Sequence, residues 1–233
     1  LNLAIMKKVN FLLFIIVIQF LSCKKETSDN VNQDKIWAEY QLIYDNNTKI
    51  TYARAIFKFS SITGTVLELK DPAKVMFNND LLTYNPTFGY YEKQYTSFVT
   101  TGTFKYTDLD NHTFQNTLTI TDTVGFPLGL DTIYKSVPFE LVWTGSPLKA
   151  NETITVWLNS NVEGDSRLFS TNMINSTSII FPVNQMSQLG VGPYGVLAME
   201  RLYRPPISQA TSAGGLITIK YKPKTLTGIQ ILN

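Results

Sequence analysis

The sequence is poor in the residues that most often carry chemistry. Its 233 residues include one cysteine, Cys23, and one histidine, His112. A single cysteine forms no internal disulfide, so the core alone has to stabilise the fold. A Ser-His-Asp triad needs an oriented imidazole, and a tetrahedral zinc site needs several His or Cys ligands, which argues against both. His112 lies in a polar Asp-Asn-His-Thr segment, which favours an exposed turn residue.

An excess of one charge is also missing. Twenty Lys and Arg face 18 Asp and Glu, for a formal net charge of +2. Proteins that bind polyanions need clustered basic residues, and the sequence has no such cluster. The glycine-rich segment 190–193 contains Pro193 and precedes a predicted strand, so it predicts a turn rather than a phosphate-binding loop. We therefore predict no nucleic-acid partner.

A short acidic segment matches a calcium-binding loop only in part. Asp108 and Asp110 offer oxygen ligands at alternate positions, as EF-hand loops do. Thr113 stands where that loop has Gly, and Thr119 stands where it has the bidentate Glu. The segment favours a turn over a metal site, and we predict no metal and no cofactor.

The amino-terminal segment has the layout of an export signal. Lys7 and Lys8 precede residues 9–20, which are almost purely apolar, and Cys23 follows shortly after them. A run of this length is shorter than the roughly twenty residues that cross a bilayer as a helix. The segment therefore predicts a cleaved signal rather than a membrane-spanning helix.

The residues around Cys23 resemble the bacterial lipobox, in which an apolar and a small residue precede an invariant cysteine that receives diacylglycerol. Leu21, Ser22 and Cys23 match, whereas Phe20 departs from the usual Leu. The resemblance implies a signal peptide over residues 1–22, lipidation of Cys23 and attachment to a membrane through that lipid. By analogy with enteric lipoproteins, the absence of Asp after Cys23 implies sorting to the outer membrane, and it leaves the membrane face open.

Two further features resemble exported lipoproteins of the Bacteroidetes. Residues 23–34, a lipidated cysteine and a polar segment, indicate a flexible linker. The tripeptides that contain Thr123 and Thr132, Asp-Thr-Val and Asp-Thr-Ile, resemble the O-glycosylation acceptor of that group. The resemblance implies that both threonines are modified on exposed turns.

The rest of the chain is rich in strand-forming residues. Short runs of Val, Ile, Thr, Tyr and Phe alternate with Gly, Pro, Asn and Asp, as in sandwiches and barrels. Within residues 49–59, Ala53 and Phe57 alternate with Tyr52 and Arg54, which predicts a strand with one buried face and one half-exposed face.

We predict an all-β fold of the immunoglobulin-like β-sandwich type, in two tandem domains. The chain length after the linker gives two units of about a hundred residues, each the size of one such sandwich. The domains are predicted at residues 35–136 and 137–233, and hairpins are predicted around residues 78–80 and 108–111.

An aromatic cluster is the strongest candidate for ligand binding. Tyr84, Phe88, Tyr90, Tyr91 and Tyr95 lie close together with Pro and Gly between them. Aromatic faces stack on the apolar faces of sugar rings, and neighbouring amide groups bind hydroxyls. The alternative is that these rings fill the core, as most aromatic residues do.

The sequence leaves three hypotheses for function. The first is a non-enzymatic cell-envelope lipoprotein that binds or scaffolds another envelope component. The second is a surface glycan-binding protein that uses the aromatic cluster. The third is a glycoside hydrolase with two carboxylates facing each other across a cleft. The candidate carboxylates for it are Glu140, Glu152, Glu163, Asp165 and Glu200.

Overall fold

The computed structural model describes residues 26–162 and 166–233. The predicted signal peptide, Cys23 and the two acidic candidates Glu163 and Asp165 lie outside the described residues. Within the described residues, no helix has the length and apolar character needed to span a bilayer.

The regular secondary structure of the described chain is almost entirely β-strand. The exceptions are two short 3-10 turns at residues 28–30 and 33–35 and a one-turn helix, α1 (Val183–Met186). The first ten strands are β1 (Glu26–Thr27), β2 (Ile36–Asp45), β3 (Ile50–Phe59), β4 (Leu67–Glu68), β5 (Lys74–Phe77), β6 (Asp80–Leu81), β7 (Thr83–Asn85), β8 (Tyr90–Tyr95), β9 (Thr101–Thr107) and β10 (Thr113–Thr119). The remaining strands are β11 (Val124–Gly125), β12 (Thr132–Tyr134), β13 (Phe139–Val142), β14 (Thr144–Gly145), β15 (Glu152–Asn159), β16 (Ser166–Thr171), β17 (Ser178–Phe181), β18 (Gly192–Tyr203), β19 (Gly215–Lys222) and β20 (Leu226–Leu232).

The largest sheet has ten strands and extends through both halves of the chain. Its order is β12-β20-β18-β19-β2-β3-β8-β7, with β15 paired to β18 and β16 paired to β15. Alternation of burial along β2, β3, β15 and β18 gives this sheet one apolar face. Both hydrophobic cores lie on that apolar face.

The first core lies between β2 and β3 on one side and a four-stranded sheet of order β10-β9-β5-β6 on the other. Aromatic rings meet across the two layers. Tyr40 of β2 contacts Phe104 of β9 with ring centroids 5.1 Å apart, and Phe57 of β3 contacts Tyr106 at 4.6 Å. Both ring pairs are tilted, and their centroid distances lie in the range that aromatic pairs prefer.

The second core lies between the β15, β16, β18 and β20 part of the large sheet and a small sheet formed by β13 and β17. Phe169 of β16 and Phe181 of β17 stack with centroids 3.9 Å apart. Two packed sheet layers therefore enclose each core, and the predicted all-β sandwich class is confirmed.

The predicted hairpins are also present. Met76 and Phe77 of β5 pair with Leu81 and Asp80 of β6, leaving two residues in the turn. Those residues, Asn78 and Asn79, both have positive φ, which is the conformation of a type I′ turn. Strands β9 and β10 pair over their whole length around the second predicted turn.

The boundary predicted at residues 136 and 137 has to be corrected. Strand β19 pairs in parallel with β2 along its full length, from Gly215 opposite Ala38 to Lys222 opposite Asp45. Its side chain Ile217 belongs to the first core. The second half of the chain thus completes the first core, and the two cores share one sheet instead of forming separate tandem domains.

The flexible linker predicted at residues 23–34 is wrong for its described part. Glu26 and Thr27 form β1, which pairs in parallel with β4. Ser28 is fully buried, and its hydroxyl accepts a hydrogen bond from the Lys70 amide at 2.8 Å. Gln33 is also buried and donates to the Ser28 carbonyl at 2.6 Å. Polar side chains fix this segment because they satisfy buried backbone groups.

Candidate binding face

The large sheet presents its second face away from both cores. In β2 and β3 the side chains that alternate with the core residues point to this face, and Gln41 lies opposite Arg54 in the register. Arg54 in turn lies opposite Glu92 of β8, and Gln41 lies opposite Thr218 of β19. We call this surface the open face. Polar and aromatic side chains from four adjacent strands line it.

Arg54 is the centre of the open face. Its guanidinium carbon lies 4.8 Å from the ring centroid of Tyr52 and 4.8 Å from that of Tyr90. Its Nε donates a hydrogen bond to the carboxylate of Glu92, and the two side chains are 26% and 14% exposed. Two rings and a carboxylate therefore hold the guanidinium in one orientation, by cation–π and charge-assisted contacts.

The terminal guanidinium nitrogens of Arg54 form no hydrogen bond to any residue within 26–162 and 166–233. Arginine presents five N–H donors in a planar fork that matches carboxylates and other paired oxygens. An immobilised fork with donors to spare fits an oxygen-rich ligand, because the entropy cost of ordering the side chain has already been met.

Further along the open face, polar side chains bond to one another. Glu39 accepts hydrogen bonds from Gln41 at 2.8 Å and from Thr218 at 3.0 Å. Lys220 of β19 pairs with Glu200 of β18 at 3.2 Å. Trp37 and Ile43 of β2 lie on the same face and are buried, so the face combines polar and apolar side chains.

The predicted aromatic cluster divides between the core and the surface. Tyr91 is buried, and its hydroxyl accepts a hydrogen bond from the Leu69 amide at 2.6 Å. Tyr95 and Tyr84 pack against the first core, and the Tyr95 hydroxyl donates to Asp80 at 2.8 Å. Burial raises the pKa of Tyr91 and of Tyr95 well above the ordinary tyrosine value. Three of the five predicted rings are therefore structural.

Phe88 and Tyr90 remain at the surface. Phe88 is 69% exposed, and its ring lies parallel to that of Tyr90 within 7°, with centroids 5.7 Å apart. The turn before them is held by Asn85, whose side-chain oxygen accepts from the Thr87 and Phe88 amides at 3.1 and 3.3 Å. Gly89 has a φ of +70°, which its lack of a side chain permits. The two rings are fixed by this turn at one end of the open face.

A shallow groove of about 320 Å³ adjoins these rings. It is lined by Thr83, Tyr84, Asn85, Pro86 and Glu92. The groove combines an amide, a carboxylate and an aromatic ring, which are the groups that bind sugar hydroxyls and sugar faces.

The three described carboxylates of the hydrolase hypothesis lie in three separate places in the fold. Glu152 is buried on the core side of the large sheet, where it pairs with Arg201 at 2.5 Å. Glu200 points to the open face of the same sheet, because it lies opposite Thr155 in the register. Glu140 is exposed on the small sheet and accepts a hydrogen bond from Ser178 at 2.5 Å. No two of these three share a cleft, as a glycosidase pair must.

In the acidic turn between β9 and β10, the Asp108 carboxylate binds a backbone amide of the same turn. Asp108 is buried and accepts hydrogen bonds from the His112 amide at 2.8 Å, while the His112 ring nitrogen lies 3.2 Å from its other oxygen. Ligand atoms of Asp108, Asp110 and His112 lie within 4.8 Å of one another. The contacts of Asp108 are those of a turn-capping side chain, as the sequence predicts.

The two threonines predicted as O-glycosylation sites differ in their surroundings. Thr123 is exposed in the connection before β11 and lines an open cleft of about 420 Å³ beside Tyr221. Thr132 is half-buried within β12, opposite Gln230 of β20, so it is a strand residue and not a turn residue. Exposure favours Thr123 of the two, and modification of either stays a prediction.

Arg54 and Tyr52 were missing from the residues predicted to bind a ligand. The alternation within β3 placed both on the half-exposed face of that strand. The same period in β8 puts Tyr90, Glu92 and Gln94 on one side. The pairing of those two half-exposed faces across neighbouring strands is the sequence signal that points to Arg54 and Tyr52.

Comparisons with known proteins add little to this picture. No family model matches the chain, and no curated protein matches it. Among solved structures, the chain is similar to the two tandem V-type regions of a v-region-containing chitin binding protein. The likeness has 7% sequence identity and covers 81% of this chain and 99% of that chain, with a TM-score of 0.21. A TM-score this low supports no conclusion about the fold or the ligand of this chain.

Proposed function

We propose that this chain is a non-enzymatic lipoprotein of the cell envelope, anchored through Cys23 to the outer membrane. Its β-sandwich body binds another envelope or surface component through the open face. The sequence around Cys23 supports the anchor, and the two-core sandwich supplies a rigid platform for the face.

The observation that carries the binding role is the immobilised Arg54. Held between Tyr52 and Tyr90 and paired with Glu92, it presents ordered donors on a face that both cores leave uncovered. Strands position every member of this set, which makes the site rigid. Carboxylates and other oxygen-rich groups are the ligand chemistry that such a fork recognises.

The binding role is tested by photo-crosslinking in intact cells. A photoreactive amino acid at Gln94, exposed beside Tyr52 on the open face, should give a discrete crosslinked product. The same residue at Ile180, 61% exposed on the small sheet, should not give that product. Arg54→Met should reduce the product, whereas Lys105→Met, which removes a charge on the other sheet, should leave it unchanged. Equal yields at Gln94 and Ile180 would refute a specific face.

The anchor is tested separately. Replacing Cys23 with Ala should release the protein from the membrane fraction, because two or three acyl chains hold a protein essentially permanently. The mass of the mature amino terminus should show an acylated Cys23, and protease treatment of intact cells should show which membrane face carries the body. An unmodified terminus at another residue would rule out the anchor.

Glycan binding is a second candidate, favoured by the exposed ring of Phe88, which lies parallel to that of Tyr90 beside the groove at Asn85. Binding of soluble polysaccharides should then quench tyrosine fluorescence and be lost in Phe88→Ala. Tyr84→Ala is no suitable control, because that ring packs on the core. Binding that survives Phe88→Ala would dismiss this candidate.

A further inference from the structure

The folded body begins almost immediately after Cys23. Glu26 is already paired with Leu67 in the β1–β4 ladder, so only Lys24 and Lys25 separate Cys23 from the fold. An extended chain advances at most about 3.6 Å per residue, so Cys23 lies within roughly 11 Å of Glu26. A lipid on Cys23 therefore brings the β1–β4 end of the molecule to the membrane surface.

That end of the molecule carries exposed apolar residues. Strand β3 ends at Phe59, which is 40% exposed, and the following loop carries Ile62 at 53% exposure. The loop ends at Val66, whose side chain packs against Gly89 in the turn before β8. A Cβ built on Gly89 would lie only 3.1 Å from Cγ1 of Val66. Phe88, 69% exposed, is the neighbour of Gly89 in that turn.

The β1–β4 ladder adjoins the same two loops. Val66 directly precedes Leu67, the partner of Glu26, so the chain joins the fold beside the turn that carries Phe88. Cationic groups accompany it. Lys58 donates to the Ile62 carbonyl at 2.6 Å, and Lys24 and Lys25 lie within the tether itself.

We propose that Phe59, Ile62 and Phe88 form a membrane-contact tip that dips into the lipid surface when Cys23 is acylated. The inference rests on the proposed lipidation. The acyl chains supply the affinity, while the apolar tip and the tether lysines fix the orientation of the body. Apolar side chains flanked by lysines are the composition that settles at the boundary between headgroups and acyl chains.

This orientation keeps the open face accessible. Strand β3 leads away from the tip, and Arg54 lies five residues before Phe59, or roughly 17 Å along the strand. Interfacial elements bury about 5–10 Å of their depth, so the strand positions of Arg54 and Tyr52 stay outside the acyl region. Tyr90 links the Arg54 guanidinium to Phe88, which places that guanidinium at the level of the headgroups. Phe88 then contacts lipid rather than a sugar.

The tip is tested with the full-length acylated protein in vesicles of phosphatidylethanolamine and phosphatidylglycerol. Acylation blocks the thiol of Cys23, so an introduced cysteine is the one thiol that an environment-sensitive fluorophore can label. The variants are Ile62→Cys and Phe88→Cys. Ile180→Cys, at a position on the small sheet that is 61% exposed, is the control of matched exposure. Thermal unfolding of each labelled protein verifies that it folds.

Lipids that carry a quencher in the acyl chain should quench the labels at residues 62 and 88 several-fold more strongly than the label at 180. Equal quenching at all three sites would overturn the tip, because the body would then have no fixed orientation. Unquenched labels at 62 and 88 would overturn it as well. A fluorescence change of the label at 62, in the variant that keeps Phe88, on adding polysaccharide would assign this surface to glycan instead. The intact mass is measured on the same samples, so a missing acyl group identifies failure of the anchor rather than of the tip.

Discussion

A buried ion pair joins the neighbouring strands β15 and β18 of the large sheet. Arg201 and Glu152 have side chains 2% and 3% exposed, and the Arg201 guanidinium donates to both Glu152 oxygens, at 3.2 and 2.5 Å. It also donates to the carbonyls of Ser146 and Pro147, at 2.7 and 3.0 Å. Glu152 accepts from the Lys149 amide at 2.7 Å. The network closes the turn before β15 and is satisfied on both sides.

Breaking one partner of this pair should be strongly destabilising. Glu152→Gln preserves the shape but leaves the Arg201 charge buried without its counter-ion, which costs about 3–5 kcal/mol. That is a large share of the roughly 5–15 kcal/mol by which a domain is stable. Replacing both side chains, as in Glu152→Leu with Arg201→Met, should cost less than the sum of the two single changes, because no charge remains unpaired.

Urea unfolding of the wild type, the two single variants and the double variant measures these free energies as a cycle. The partly exposed pair Lys220 and Glu200, with side chains 27% and 12% exposed, is the control. Lys220→Met should cost only about 0.2–1 kcal/mol, as surface pairs do. Single losses below about 1 kcal/mol at the buried pair, or strict additivity in the cycle, would refute the reasoning.

Four further variants test the packing and the electrostatics. Tyr91→Phe should lower stability by about 1–3 kcal/mol, since the hydroxyl that accepts a hydrogen bond from the buried Leu69 amide is removed and that amide loses its partner. Tyr106→Phe should change it little or raise it, because that buried hydroxyl has no hydrogen-bond partner in the described chain; equal urea midpoints for the two would contradict this contrast. Gly102→Ala should destabilise by about 1–3 kcal/mol, since the new Cβ would lie 2.0 Å from the Phe77 ring. Burial opposes ionisation of Asp122, but hydrogen bonds to its carboxylate outweigh burial and hold its pKa below the ordinary value. The stability it contributes is therefore present above about pH 4 and lost as pH falls through the lowered pKa. When the free energy of unfolding is measured against pH, Asp122→Asn should make its fall below about pH 4 less steep.

Local patterns were enough to predict the strands and hairpins. Alternation within residues 49–59 and the Asn78-Asn79 pair act over a few residues, where side-chain direction and turn conformation are decided. The pairing of β19 with β2 was not predictable in this way, because it joins residues more than 170 positions apart. Neither strand carries a local signal for its neighbour.

The same distinction explains the aromatic cluster and the linker. Period-2 alternation separates Tyr90 from Tyr91, but which of the two faces is buried depends on the sheet that packs against β8. The polar segment that includes Ser28 and Gln33 has few apolar residues, so composition predicted a flexible chain. Its order comes from hydrogen bonds to the distant Lys70 amide and within the segment, which composition does not reveal.

The shared sheet gives the proposed anchor a consequence for the whole molecule. Two tandem domains on a linker would reorient independently, whereas here β19 ties the second half of the chain to β2 over eight residue pairs. Strand β19 also pairs with β18, so it connects both parts of the large sheet. A tether that fixes the tip at Phe88 therefore orients both cores and the open face together. The position of Arg54 above the membrane would then be set by strand geometry rather than by the length of a spacer.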